Sequence, residues 1–256
     1  MIAHTSERAI ASLQFSEISL GIVCPMANEE ATAVSFVTEL LRECKRQYFK
    51  SLILFVILDN QSKDRTRELL QGFAEQQGDL KIVWAPENKC VVDAYVAGYR
   101  AAIEAGCDWI LEIDGGFSHQ PADAAHLFAR MLEGYDCVFG SRFCAGGSMT
   151  DRPLGRYVLS RGGTILSNLL LGTRLKDMTS GYELFTSESL RHVLQKGIRS
   201  RGPFFQTEIK AYCRNFRIAE APIQYRNPSH NIGRSQLQDS FSNLWRLFRL
   251  RLRREL

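Results

Sequence analysis

Apolar residues along the chain fall into two alternating rhythms. Short runs at Ile18 to Val23, Leu52 to Leu58, Lys81 to Ala85 and Trp109 to Ile113 have the length and composition of strands, and Cys137 to Gly140 adds a fifth. Between them lie segments of helical period. Ala31 to Cys44 is one; Arg65 to Gln77 stops at Gly78, and Asp93 to Ala105 stops at Gly106. Pro121 to Glu133 has a proline suited to a first turn and Gly134 just past its end. Strands alternating with helices predict an α/β domain, a mostly parallel sheet covered by helices on both faces. The second half is less regular. Gly140 to Asp151 reads as a glycine-rich loop, Leu154 to Leu171 as a long helix despite Gly162 and Gly163, and Ser187 as the cap of a helix ending by Gly197. Arg217 to Ile223 reads as a strand and Asn227 to Gln236 as a polar loop. With no internal repeat or linker, the expected division is one domain over 1–236 and a basic amphipathic helical tail over 237–256.

Composition narrows the class. At 45% hydrophobic and 23% charged residues the chain can bury a core. Its longest strongly apolar run, Leu52 to Leu58, is far shorter than the roughly 20 residues that span a bilayer. The start M-I-A-H-T-S-E-R lacks a basic segment followed by an apolar one, so no secretory signal is expected. Seven cysteines without a C-x-x-C pair fit free thiols in a reducing cytoplasm, not a disulfide frame or a zinc site. The net charge of +4 is local: Arg246, Arg249, Arg251, Arg253 and Arg254 crowd the C-terminus. That argues against nucleic acid and for one basic patch. On a helix, Phe241, Leu244, Trp245, Phe248, Leu252 and Leu256 share a face, with Arg246, Arg249 and Arg253 toward another. Such a stripe suits the headgroup layer of an anionic membrane, and equally a helix packed on its own domain or a second subunit. Leu247 and Leu250 fall off the stripe, which favours an additional partner.

Ligands of parallel sheets gather at the carboxyl ends of the strands. Here those ends carry Asn28, Glu29 and Glu30, then Asp59 and Asn60, then Asp114. Each alone serves as well for a helix cap, but convergence on one edge favours a site. The stretch I-L-E-I-D-G-G-F-S-H-Q-P-A-D, from Ile110, presents Asp114 before two glycines. Glu112 lies two residues back on the same strand, facing the same side, and is a possible helper in holding a metal. Gly116 either lets backbone approach a ligand or is a plain turn residue. Arg156 and Ser160 are four apart on one helix face and Arg142 follows the fifth strand, an arrangement that suits a phosphate or a surface arginine pair with acid partners. Glu208 and Asp177 are candidates for a general base or for orienting loops, and His119 and His230 read as loop histidines, either simply solvated or within reach of a phosphate.

The segments C-P-M-A-N-E-E, L-D-N-Q-S-K-D-R-T, E-I-D-G-G-F-S-H-Q-P, G-S-R-F, L-G-R-Y-V-L-S-R-G-G, D-M-T-S-G-Y and F-F-Q-T-E follow one another from about Ser19 to Leu237. In that order the chain resembles the inverting glycosyltransferases typified by dolichyl-phosphate mannose synthase and its bacterial polyprenyl-phosphate relatives. The resemblance implies a GT-A fold, a nucleotide-sugar donor, a Mg²⁺ or Mn²⁺ ion and a polyprenyl-phosphate acceptor. It implies Pro25, Asn28, Glu30 and Asp59 around the base and ribose and a donor-binding arginine whose place Arg234 takes, while Gly116, without a side chain, lets its backbone approach the diphosphate. Asp114 is the implied metal ligand, and Arg142, Arg156 and Ser160 the grip on the acceptor phosphate. Asp114, Arg142 and Arg156 are the residues expected to carry catalysis. Where the family shows a second aspartate this chain has Gly116, so the metal is expected to bind weakly and to be completed by the donor diphosphate. The implied reaction is transfer of a hexose, mannose first, by an enzyme peripheral on the cytoplasmic face of a membrane, held there by the surface itself or by a membrane protein. Two other readings stay open: a soluble hydroxyl acceptor, and a non-catalytic nucleotide-binding subunit of a membrane complex.

Overall fold

A computed structural model describes residues 15–150, 154–226 and 233–256. The five expected strands form within a residue or two of their expected bounds: β1 Ser19–Pro25, β2 Ser51–Leu58, β3 Leu80–Trp84, β4 Trp109–Glu112 and β5 Cys137–Ser141. The helices between them are α1 Ala33–Lys45, α2 Thr66–Ala74, α3 Val91–Glu104 and α4 Ala124–Met131, the last entered through a short 3₁₀ turn at Pro121–Asp123. After β5 come a two-residue strand β6 (Ser148–Met149), the long helix α5 (Leu154–Leu171), β7 (Glu183–Thr186), α6 (Ser187–Lys196) and α7 (Phe205–Tyr212). Then follow β8 (Ile218–Pro222), β9 (Gln224–Tyr225) and the C-terminal helix α8 (Arg234–Leu252). His230 and most of the loop expected at 227–236 lie outside the described residues.

The main sheet has seven strands in the order β3-β2-β1-β4-β7-β5-β8. All neighbours are parallel except around β7, which runs antiparallel to both β4 and β5. Alternation along β1 shows how the two cores arise. Leu20, Ile22 and Cys24 pack with Phe36 and Leu40 of α1 and Phe128 of α4 on one face. Val23 points to the other, into a core shared by Tyr95 and Tyr99 of α3, Ile209 of α7 and Leu247 of α8. Helix α3 lies close on the sheet because of Gly98: a Cβ there would sit 2.4 Å from Val23 Cγ1. The expected α/β class with helices on both faces is what forms.

The C-terminal helix departs from the single stripe read in the sequence. Its buried face is Asn243, Leu244 and Leu247, while Phe241, Trp245 and Leu252 of the expected stripe are exposed. Leu247, off that stripe, is fully buried, which contributes about 1.5–3 kcal/mol. Arg246 turns inward to Glu208 and the Tyr212 hydroxyl, and Arg251 donates to the carbonyls of Leu169 and Leu170 at the end of α5. The segment expected as a tail at 237–256 is thus most of a helix packed on its own domain, with a second apolar face left outward.

Candidate active site

The chain winds outward from β1 through β2 to β3, then returns to place β4 on the other side of β1. A crevice opens where the strand order reverses, the place such sheets bind ligands. Here it is a cavity of about 550 Å³, lined by Pro25 at the end of β1, Asp59 after β2 and Asp114 after β4. Arg142 and Arg156 line the same cavity. Asp59 and Asp114 on the acidic side and Arg142 and Arg156 on the basic side therefore face one space.

Asp114 is fixed from two sides. The Tyr95 hydroxyl donates to Oδ1, and His119 Nε2 lies 3.6 Å from Oδ2. The side chain still presents 46% of its surface outward. Burial works to raise its carboxyl, but the hydrogen bonds and charge of His119 and the Tyr95 bond outweigh it and hold the pKa below its usual value. His119 is no solvated loop histidine: it is 2% exposed, packed between the rings of Tyr182 and Tyr225, and its Nδ1 has no partner in the protein.

Glu112, the possible second ligand, does not reach the cavity. It is fully buried, accepts from the Tyr99 hydroxyl and Gln206 Nε2, and faces Glu183 across the β4–β7 pair. Burial first and the Glu183 charge next push its carboxyl well up. The side chain shares a side with Asp114, as period two requires, but β7 and α7 close over it. Glu183 is answered by Lys210 Nζ at 2.5 Å, which also donates to the carbonyl of Ser180 at 2.6 Å.

The β1–α1 loop divides its polar groups differently from the expectation. Asn28, at φ 59°, accepts the Lys63 N–H through Oδ1 at 2.8 Å. Glu30 accepts the Arg65 N–H at 3.0 Å. Both tie down the loop after β2 and neither lines the cavity. Glu29, between them, does line it. Gly116 is buried behind the Glu29 carboxylate, and its neighbour Gly115 lines the space instead. Arg234 is an exposed residue in the first turn of α8 and lines neither this cavity nor the groove described next.

Arg142 is buried and paired with Asp177. Its Nε lies 2.7 Å from Asp177 Oδ2 and its Nη2 2.8 Å from Oδ1, with a further bond from Nη2 to Thr179 Oγ1 at 2.6 Å. Nη1 is the nitrogen these partners leave. Burial opposes ionisation of Asp177, but Arg142 prevails and its pKa falls to about 2. Asp177 therefore orients Arg142 and holds no free base. Glu208 is equally occupied: fully buried, it accepts from the N–H groups of Arg199 and Ser200, Ser200 Oγ, Tyr212 and Arg246.

Beyond the arginines the cavity meets an apolar groove of about 380 Å³ between α5 and α8. Arg142, Arg156, Thr179 and Pro203 line both spaces. Ser160 lines only the groove, with Val158, Leu159 and Leu166 of α5 and Leu237, Phe241 and Leu244 of α8. The groove was invisible in the sequence because its walls are far apart in the chain, and the same holds for Tyr95 and Gln206 at the acidic end.

Residues 21–194 match the model of the family Glycosyl transferase family 2. An undecaprenyl-phosphate mannosyltransferase of Micrococcus luteus is 30% identical over 172 residues, covering 66% of this chain and 70% of that protein. A polyprenol monophosphomannose synthase of Mycolicibacterium smegmatis is 27% identical over 207 residues, covering 80% and 76%. Among solved structures, glucosyl-3-phosphoglycerate synthase from Mycobacterium tuberculosis, in complex with Mn²⁺, UDP and phosphoglyceric acid, matches with a TM-score of 0.66 at 16% identity, covering 94% of this chain and 82% of that one. That likeness shows the fold, and with it the expected GT-A architecture.

Proposed function

The chain belongs to glycosyl transferase family 2, and on that premise we propose that it is an inverting transferase moving a hexose, mannose first, from a nucleotide-sugar donor to a polyprenyl phosphate. The observation that carries this reading is the meeting of the two spaces at Arg142 and Arg156. A phosphate held there places its prenyl chain in the apolar groove and its free oxygens toward the acidic cavity. A soluble acceptor has no use for a groove walled by leucines, valine and phenylalanine. The two relatives named above act on prenyl-type phosphates by their names, in agreement with this placement.

The chemistry follows from the charges. The donor diphosphate lies toward Asp114, and its sugar carbon faces the arginines. A monophosphate with a second pKa near 6 is largely a dianion at neutral pH. One of its oxygens forms a bond to the anomeric carbon as the bond to the diphosphate oxygen breaks, inverting that centre. No proton has to be removed, and the two candidates for the base of a hydroxyl acceptor, Asp177 and Glu208, are tied to cations and N–H groups. Arg142, aimed by Asp177, and Arg156 position the nucleophile without protonating it.

The donor end suits a hard cation. Asp114 is exposed to the cavity and kept ionised, although no preformed group of three or more His, Cys, Asp or Glu that would hold a metal occurs among the described residues. Asp114 would hold Mg²⁺ or Mn²⁺ there, with oxygens of the diphosphate and water supplying the remaining ligands. When bound, such an ion neutralises charge growing on the leaving nucleoside diphosphate.

Among the described residues no helix is long and apolar enough to cross a membrane. Around the groove, Val158, Ile165 and Leu169 of α5 and Phe241, Trp245 and Leu252 of α8 are exposed. We place these two faces against the cytoplasmic leaflet, where Arg249 and Arg253 meet anionic headgroups. The test is a panel of nucleotide sugars offered with polyprenyl phosphate, with and without Mn²⁺, read by mass spectrometry of the lipid. A glycosyl-phosphoryl lipid is expected; donor binding without transfer to any prenyl phosphate would leave the non-catalytic reading standing.

A further inference from the structure

Gly116 adopts the left-handed backbone at φ +78°, and a Cβ added there would lie 2.9 Å from each Glu29 carboxylate oxygen. The Glu29 carboxylate thus fills the volume into which any larger residue at 116 would extend. It is held in place. Its Oε2 accepts from Thr32 Oγ1 at 2.5 Å, its N–H donates to Thr66 Oγ1 at 2.7 Å, and its carbonyl accepts the Ala33 N–H at 2.7 Å as α1 begins.

Glu29 and Asp114 line one cavity. Both charges act on the thiol of Cys24 beneath them, which burial and then Asp114 and Glu29 push up. The imidazole of His119 lies within reach of Asp114, its Nε2 3.6 Å from Oδ2. That imidazole is itself buried, and its Nδ1 lacks a partner. A diphosphate approaching two carboxylates is repelled unless a cation joins them.

We infer that Glu29 is the second protein carboxylate for the divalent cation of the donor, delivered by the β1–α1 loop into the space that residue 116 leaves open. The inference rests on the donor-site reading above. Glu29 and an acid at 116 are alternatives for one volume, which explains why a single carboxylate on the strand β4 side suffices. Asp114 contributes from the end of the sheet and Glu29 from the start of a helix, with diphosphate and water supplying the remaining oxygens.

The experiment measures Mn²⁺ uptake by the full chain in the presence of GDP or UDP, using the EPR signal of free Mn²⁺ and no turnover. Binding of the same nucleotide without metal is measured alongside. Glu29→Gln is expected to weaken Mn²⁺ uptake by about tenfold or more, the range already set by residues one step removed from a metal, with metal-free nucleotide binding unchanged. Gly116→Asp in the otherwise natural chain crowds Glu29 and weakens uptake, whereas the same substitution combined with Glu29→Ala restores it. Unchanged uptake in Glu29→Gln overturns the inference, as does an equal loss of metal-free nucleotide binding, which would make Glu29 a contact to ribose or base. A natural chain that takes up no Mn²⁺ with either nucleotide overturns the donor-site reading itself.

Discussion

Replacing Asp177 by Asn isolates the device that aims Arg142. The pair is closed to solvent, Arg142 5% exposed and Asp177 0%, and two Asp177 oxygens meet Nε and Nη2 at 2.7 and 2.8 Å. The pKa of Asp177 falls from 3.8 to about 2, a bias toward the folded state of about 2–3 kcal/mol at roughly 1.4 per pH unit. Because the folded pKa is depressed, that stability is present above pH 4 or so and is lost as pH falls toward 2. Asn at 177 also leaves a buried guanidinium without its counter-charge, so the cost should reach about 3–5 kcal/mol. The double variant Arg142→Leu with Asp177→Leu removes both charges and should be more stable than Asp177→Asn alone, yet inactive in transfer. Urea unfolding at pH 7 reads the stabilities, and lipid glycosylation reads transfer in the folded fraction. The reasoning fails if Asp177→Asn lies within about 1 kcal/mol of the natural chain, the level of an exposed pair.

Two further outcomes follow from the packing. Glu208→Gln should destabilise the fold by about 1–3 kcal/mol through partners left unmet, while folded protein keeps its transfer rate; abolished turnover in folded protein would return Glu208 to the role of base for a hydroxyl acceptor. Trp245→Asp, at a site 51% exposed, should leave urea unfolding unchanged and weaken sedimentation with anionic vesicles; unchanged vesicle binding would detach α8 from the membrane.

What the sequence disclosed and what it hid divide along physical lines. Asp114 was legible because it ends an apolar run before two glycines, on the sheet edge where the other acids also converge. The acids after β1 were legible as a group, but not which of them lines the cavity. Glu29 and Glu30 are adjacent, and the helix start sends one carboxylate toward Gly116 and the other to the Arg65 N–H. Strand β7 was hidden because it opens with Glu183, an acid that reads as solvent-facing until Lys210 is seen beside it. Lys210 sits in α7, every residue of which is buried, so that helix shows no polar face to betray its period. The tail read as amphipathic because it is, but Leu244 and Leu247 anchor it while Phe241 and Trp245 look outward. One stripe on paper is two faces in space.

The account stands on one junction, the place where the acidic cavity and the apolar groove share Arg142 and Arg156. Steady-state kinetics of Arg156→Ala, with donor and polyprenyl phosphate varied in turn, tests it most directly. The expected result is an acceptor KM raised by about tenfold or more, as for loss of a charge-assisted bond of roughly 1.5–3 kcal/mol, with the donor KM unchanged. An unchanged acceptor KM, or a loss confined to the donor, would contradict it.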